Sequence, residues 1–196
     1  MKKKVIIAVV TLVLVFCFTV GGTLAWLQTE TTSVVNTFTY GDINIDLEET
    51  DTGVDGDDDP TTNSYKMVPG NTIEKDPVVT VKVGSEACWL FVKIEKSSNY
   101  STYLEDYVIA DGWTALSGVD GVYYREVDAL TAEGAEAAKF AVLKDNQVKV
   151  KTSVTKTQME AIRESGMPTL TFTAYAVQKD NVNSASTAWT IANPTT

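Results

Sequence analysis

Apolar and polar residues alternate with a period of two through much of this chain, the pattern of strands with one face in a core and the other in water. Ile43, Ile45 and Leu47 fall on one face of such a strand, with Asn44, Asp46 and Glu48 on the other. Val79, Val81 and Val83 alternate with Thr80 and Lys82, and Leu90, Val92 and Ile94 with Phe91, Lys93 and Glu95. Further strands are expected over 34–40, 122–127, 139–143, 148–154 and 170–178. Turn signals separate them at Pro69-Gly70, Asp111-Gly112, Asp120-Gly121 and 144–147. Many short strands so punctuated predict an all-β antiparallel sandwich or barrel. A parallel α/β sheet would need more helices than the pattern offers.

One or two short helices are expected in the connections. Thr155 with Gln158 three residues on forms a capping box, Met159 and Ile162 share a face, and Gly166-Met167-Pro168 ends the element. A second, weaker helix is expected over 184–191 with Trp189 as its apolar anchor, whereas 131–138 suits a helix or a loop.

The longest apolar run stands at the start. Lys2, Lys3 and Lys4 precede an unbroken stretch from Val5 to Val20, followed by small residues from Gly21 to Ala25. A positive start, an apolar middle and a small-residue Thr23-x-Ala25 end describe an export signal. Cleavage after Ala25 would leave Trp26 as the new terminus, dividing the chain into a helical signal peptide, 1–25, and a single β-sandwich domain, 26–196. The competing reading is an uncleaved anchor, since at about 1.5 Å per residue the run could just cross a ~30 Å hydrocarbon layer. Gly21 and Gly22 weaken a helix where an anchor would need it intact. Lipidation fits less well, because Cys17 lies within the apolar run behind bulky Phe16.

Charge and missing residue types then narrow the chemistry. Residues 1–25 hold three of the 16 basic side chains and none of the 26 acidic ones, so the remainder carries 13 against 26, a net charge of about −13. Such a surface repels nucleic acid and anionic lipid. With Cys17 removed, Cys88 is alone and no intramolecular disulfide is possible; between Ala87 and Trp89 it reads as a small buried hydrophobe. The chain contains no His, which closes imidazole-based zinc sites and Ser/His or Cys/His nucleophile pairs. Within the acidic stretch 51–59, Asp55, Asp57, Asp58 and Asp59 could gather a calcium ion, although the spacing does not fit an EF-hand loop. A solvated acidic loop is the plainer reading, and no cofactor is expected. The terminal Asn193-Pro194-Thr195-Thr196 lacks the apolar segment and basic tail of a wall-sorting signal and reads as a plain chain end.

The stretch GGTLAWLQTETTSVVNTFTYGDINIDLEE, residues 21–49, resembles the signal and first strands of the TasA/camelysin family of exported Gram-positive proteins. Three further pieces match in order: Met67-Val68-Pro69-Gly70 before 78–83, Gly84 to Trp89 leading into 90–95, and 172–178 followed by 184–189. The resemblance implies a jelly-roll-like sandwich, processed by a SipW-type signal peptidase and secreted to the extracellular matrix or cell surface. It would touch the membrane only before cleavage. It also implies a structural subunit of biofilm matrix fibres, partnered with itself or with related matrix subunits. Fibre growth in that group is similar to donor-strand exchange, and here Val34, Val35, Phe38 and Tyr40 would carry the donated strand. The same segment could equally fold into its own sheet. Two other functions stay open: a camelysin-like cell-surface metallopeptidase, which would have to work without His, and a monomeric adhesin or carbohydrate-binding module. The adhesin would stack sugars on Tyr100, Tyr103, Tyr107 and Trp113 if those rings were exposed.

Overall fold

The computed structural model describes residues 41–50 and 63–194. Along them run β1 (Ile45–Glu48), β2 (Thr72–Glu74), β3 (Val78–Val81), β4 (Cys88–Lys96), the short α1 (Tyr100–Tyr103) and β5 (Thr114–Ala115). There follow β6 (Val122–Val127), β7 (Ala138–Ala141), β8 (Gln147–Lys149), α2 (Lys156–Ser165), β9 (Leu170–Gln178) and α3 (Ala185–Ala192). The strands form two facing antiparallel sheets, ordered β1-β3-β7 and β5-β6-β4-β9, with a separate ribbon β2-β8. The architecture is an antiparallel β-sandwich.

The core follows from the alternation in the two central strands. Val79 and Val81 of β3 face Cys88, Leu90, Val92 and Ile94 of β4, all buried. The expectation of a half-buried β4 is corrected by α3, which covers the other face of the strand over its first half. Phe91 and Trp89 are buried there against Ala185, Ala188 and Trp189. The Phe91 and Trp189 rings lie 5.5 Å apart, and the Trp89 Nε1–H donates to the Val182 carbonyl at 2.9 Å. Only Lys93, Glu95 and Lys96, beyond the reach of α3, stay partly or fully exposed. A third apolar cluster gathers Tyr100, Leu104, Val148 and Val150 with Ile162 of α2 beside the β2-β8 ribbon.

Local signals decide the helix ends. The Thr155 side chain accepts from the Gln158 N–H while the Gln158 side chain accepts from the Thr155 N–H, so the capping box forms as predicted. At α3 the Ser184 side chain accepts from the Thr187 N–H, a single cap without the reciprocal bond. Other expectations shift. Val83 leaves the strand for a turn and is 53% exposed. Residues 131–137 form loop, and the strand expected over 148–154 ends at Lys149, with Val150 in an isolated bridge to Leu104. The 144–147 turn is a 3-10 turn with Asp145 and Asn146 both left-handed, which short polar side chains tolerate.

One edge of the sandwich is sealed. Trp113 Nε1–H donates to the Ala141 carbonyl at 2.8 Å, and Ile109 bridges to Leu143. The Arg125 guanidinium lies 3.8 Å from the centre of the Phe140 ring and 5.4 Å from that of Trp113, bridging the two sheets by cation–π contact. Its burial lowers the guanidinium pKa from the ordinary value. Gly112 makes the close approach possible: it is left-handed, and a Cβ there would stand 3.0 Å from Arg125 Nη2.

Candidate functional site

The opposite edge, between β1 and β9, is built differently. Flanking the β4–β9 ladder, Ser97 N–H donates to the Thr169 carbonyl (3.1 Å) and Lys179 N–H to the Ala87 carbonyl (2.8 Å). Bonded pairs alternate along an antiparallel ladder. The observed register therefore ties Thr171, Thr173, Tyr175 and Val177 to β4, and it directs the N–H and C=O groups of Leu170, Phe172, Ala174 and Ala176 away from it. In β1, Lys82 N–H donates to the Asn44 carbonyl at 2.8 Å, so the backbone of Ile45 and Leu47 likewise points away from β3. Among the described residues, neither set has a backbone partner.

The side chains at these same positions face inward. Between the two edges opens a groove of about 720 Å³, walled by Leu47, Met67, Ile73, Leu170, Phe172 and Ala174. An ion pair lies in its wall: Lys75 Nζ is 2.9 and 2.8 Å from the two oxygens of Glu49, each side chain 12% exposed. Tyr65 Oη–H donates to Glu49 Oε2 at 3.0 Å. Lys75 Nζ also stands 4.9 Å from the Tyr65 ring centre and 5.3 Å from that of Phe172. Two bonds from Thr50 to the Asp76 carboxylate, at 3.0 and 2.6 Å, tie the end of β1 to the chain after β2 and fix this wall. An apolar trough beside strand edges that have no backbone partner among the described residues can take up an extended peptide, which would supply main-chain hydrogen bonds and fill the trough with alternate side chains.

The residues singled out from the sequence divide sharply. Thr23, Ala25 and Trp26, the strand residues Val34, Val35, Phe38 and Tyr40, and the acidic Asp55, Asp57, Asp58 and Asp59 all lie outside the described residues. Of the aromatic group, Tyr100, Tyr103 and Trp113 are buried and Tyr107 is half-buried. They belong to the core clusters and present no platform for sugars. Burial pushes the Tyr100 hydroxyl up to about 12 and that of Tyr107 higher still. Cys88 is a buried thiol, as its neighbours suggested, pushed up to about 11 by desolvation. The groove itself was not anticipated. Glu49 and Lys75 are 26 positions apart, and no periodicity marks β9 as an edge.

Among the described residues, no three His, Cys, Asp or Glu side chains gather as a metal-binding group, and no helix is long and apolar enough to cross a membrane. Neither a curated protein nor a solved structure matches the chain. A family model does: residues 1–83 match the family described as camelysin metallo-endopeptidase, and over that stretch the chain is similar to that family.

Proposed function

We propose that this chain is an exported structural subunit of an extracellular matrix or surface fibre, joined to its neighbours by strand addition at the β1–β9 groove. The observation that carries the reading is the pairing of two strand edges, without backbone partners among the described residues, with an apolar trough on one side of the sandwich. Such an edge is a template for another strand, and natural proteins ordinarily cover or charge it. The segment 34–40 has the composition to fill it: Val34, Val35, Phe38 and Tyr40 are β-branched or aromatic. A head-to-tail contact of this kind does not close on itself and extends into filaments.

Export and assembly form one switch in this reading. Processing after Ala25 by a SipW-type signal peptidase releases the segment from the membrane, and a jelly-roll-like sandwich receives it. The role needs neither cofactor nor catalysis. The absence of His from the chain supports that view against the metallopeptidase suggested by the family's name, because peptidase zinc sites ordinarily take imidazole ligands.

Two variants test it. Deleting Trp26 to Tyr40 leaves the secreted protein monomeric by sedimentation, while the intact chain yields fibres visible by electron microscopy. Fibres from the deletion variant would overturn strand addition. Ala25→Phe holds the protein at the membrane, and normal release of that variant would refute the assigned cleavage site.

A further inference from the structure

We infer that the sealed edge carries an anion site, in which the Arg125 guanidinium holds a planar carboxylate end-on through Nη1 and Nη2. The site lies away from the groove and does not depend on how copies join.

The other cations of the described residues set Arg125 apart. Lys75, Lys82, Lys93, Lys96, Lys156 and Lys179 each have a carboxylate partner. Lys151 donates to the Ser101 carbonyl, and Lys66, Lys139, Lys144 and Lys149 are exposed to water. Arg125 is half-buried, and among the described residues it has neither a hydrogen bond nor an ion pair. A guanidinium is always charged and donates through every nitrogen, so removing it from water without a counter-charge is costly. Its lowered pKa records that imbalance: burial is the cause, and no carboxylate acts to raise it. A chain with 26 acidic side chains thus leaves its half-buried arginine without one.

The way the cation is held decides which of its atoms are on offer. Phe140 packs against the group with its ring centre 3.8 Å away, and Trp113 stands at 5.4 Å. Trp113 is itself anchored by the bond from its Nε1–H to the Ala141 carbonyl. Stacked in this way, the guanidinium has little freedom left to lose when a ligand arrives. Nε is buried without a partner, which closes the side-on approach, whereas Nη1 and Nη2 reach the surface. Gly112 keeps that rim clear. A Cβ there would stand 3.0 Å from Nη2 and 3.4 Å from Nη1, in the path of an end-on ligand.

Two N–H groups side by side on one rim match the two oxygens of a carboxylate. Chloride, a single atom, has no second acceptor for the fork. Phosphate offers two oxygens but brings more negative charge to a chain whose 26 acidic side chains already outnumber 16 basic ones. The ligand class is therefore a carboxylate, from either a free small acid or an acidic side chain of a second copy.

The test exploits the scarcity of arginine. The sequence holds only Arg125 and Arg163, so the Nε–Hε region of a proton–nitrogen correlation spectrum of the full-length chain contains two peaks, and Arg163→Lys assigns them. Sodium acetate is titrated against sodium chloride at equal ionic strength. The Arg125 peak is expected to move saturably with acetate and not with chloride, and the indole peak of Trp113 to follow the same curve. Arg125→Lys keeps the charge and loses the fork, and should weaken acetate binding, read at Trp113, by about tenfold or more. Equal shifts with acetate and chloride, or an unchanged curve in Arg125→Lys, would mean ordinary screening and overturn the site. Tighter binding of inorganic phosphate than of acetate would overturn carboxylate as the ligand. An acetate response that is the same at every protein concentration assigns the site to a free acid. An Arg125 peak that moves with protein concentration before acetate is added, together with association by sedimentation that is lost in Arg125→Lys, assigns it to a second copy.

Discussion

Cys88 shows how much a single core position constrains. Its side chain is fully buried on the inner face of β4, and desolvation pushes the thiol from its ordinary value near 9 up to about 11. The folded state favours the protonated form, so unfolding releases a proton between those values. Stability is therefore complete below about pH 9 and falls as pH rises toward 11; Tyr100, raised to about 12 by burial, extends the loss upward. Urea unfolding at pH 7 and pH 10.5 should show a lower midpoint at the higher pH. Alkylation of the native thiol at pH 8 should be at least about a hundredfold slower than in the unfolded chain, the factor that two pKa units impose on the thiolate. At this scale the sequence is legible wherever partners are close in it. Cys88 reads as buried from Ala87 and Trp89, and the Thr155–Gln158 cap from their spacing. Arg125 is opaque, because Trp113 and Phe140 reach it only through the pairing of distant strands.

The strands carry the same lesson at larger size. Residues 170–178 are predicted as a strand and observed as one, since alternation is local. That β9 lies at an edge depends on which strand lies beside it, and no residue of β9 encodes that. The alternation in β4 likewise predicts a half-buried strand, because α3, which covers its other face, begins almost ninety residues later. Trp189→Ala should cost about 3–5 kcal/mol by removing the ring that Phe91 and Tyr175 pack against, measured by chemical denaturation. Proline separates folding from association on β9. Ala174→Pro removes an N–H that points away from β4 and should leave a folded protein unable to add a strand; Thr173→Pro breaks the β4–β9 ladder and should destabilise the fold itself. Circular dichroism with sedimentation distinguishes the two, and fibres from Ala174→Pro would place the growing contact elsewhere.

For the whole molecule, charge opposes what the groove favours. Without residues 1–25 the chain carries 13 basic against 26 acidic side chains, a net charge of about −13 that makes copies repel, and that repulsion is screened over about 10 Å at 0.1 M salt. Association should quicken as salt is raised from ~0.01 to ~0.15 M, followed by light scattering; a rate that falls with salt would mean that opposite charges, not apolar strand addition, draw the copies together.

Sealing of the far edge by Trp113, Arg125 and Phe140 would set the valence of the proposed fibre subunit. With one side stitched shut among the described residues, the proposed strand addition would let each copy receive a single strand and give a single strand, so growth should yield unbranched threads with distinct ends. A copy lacking residues 26–40 keeps its receptacle and has nothing to hand on. Mixed with intact protein, a few per cent of it should act as a chain terminator, shortening threads in proportion to its share without thickening them.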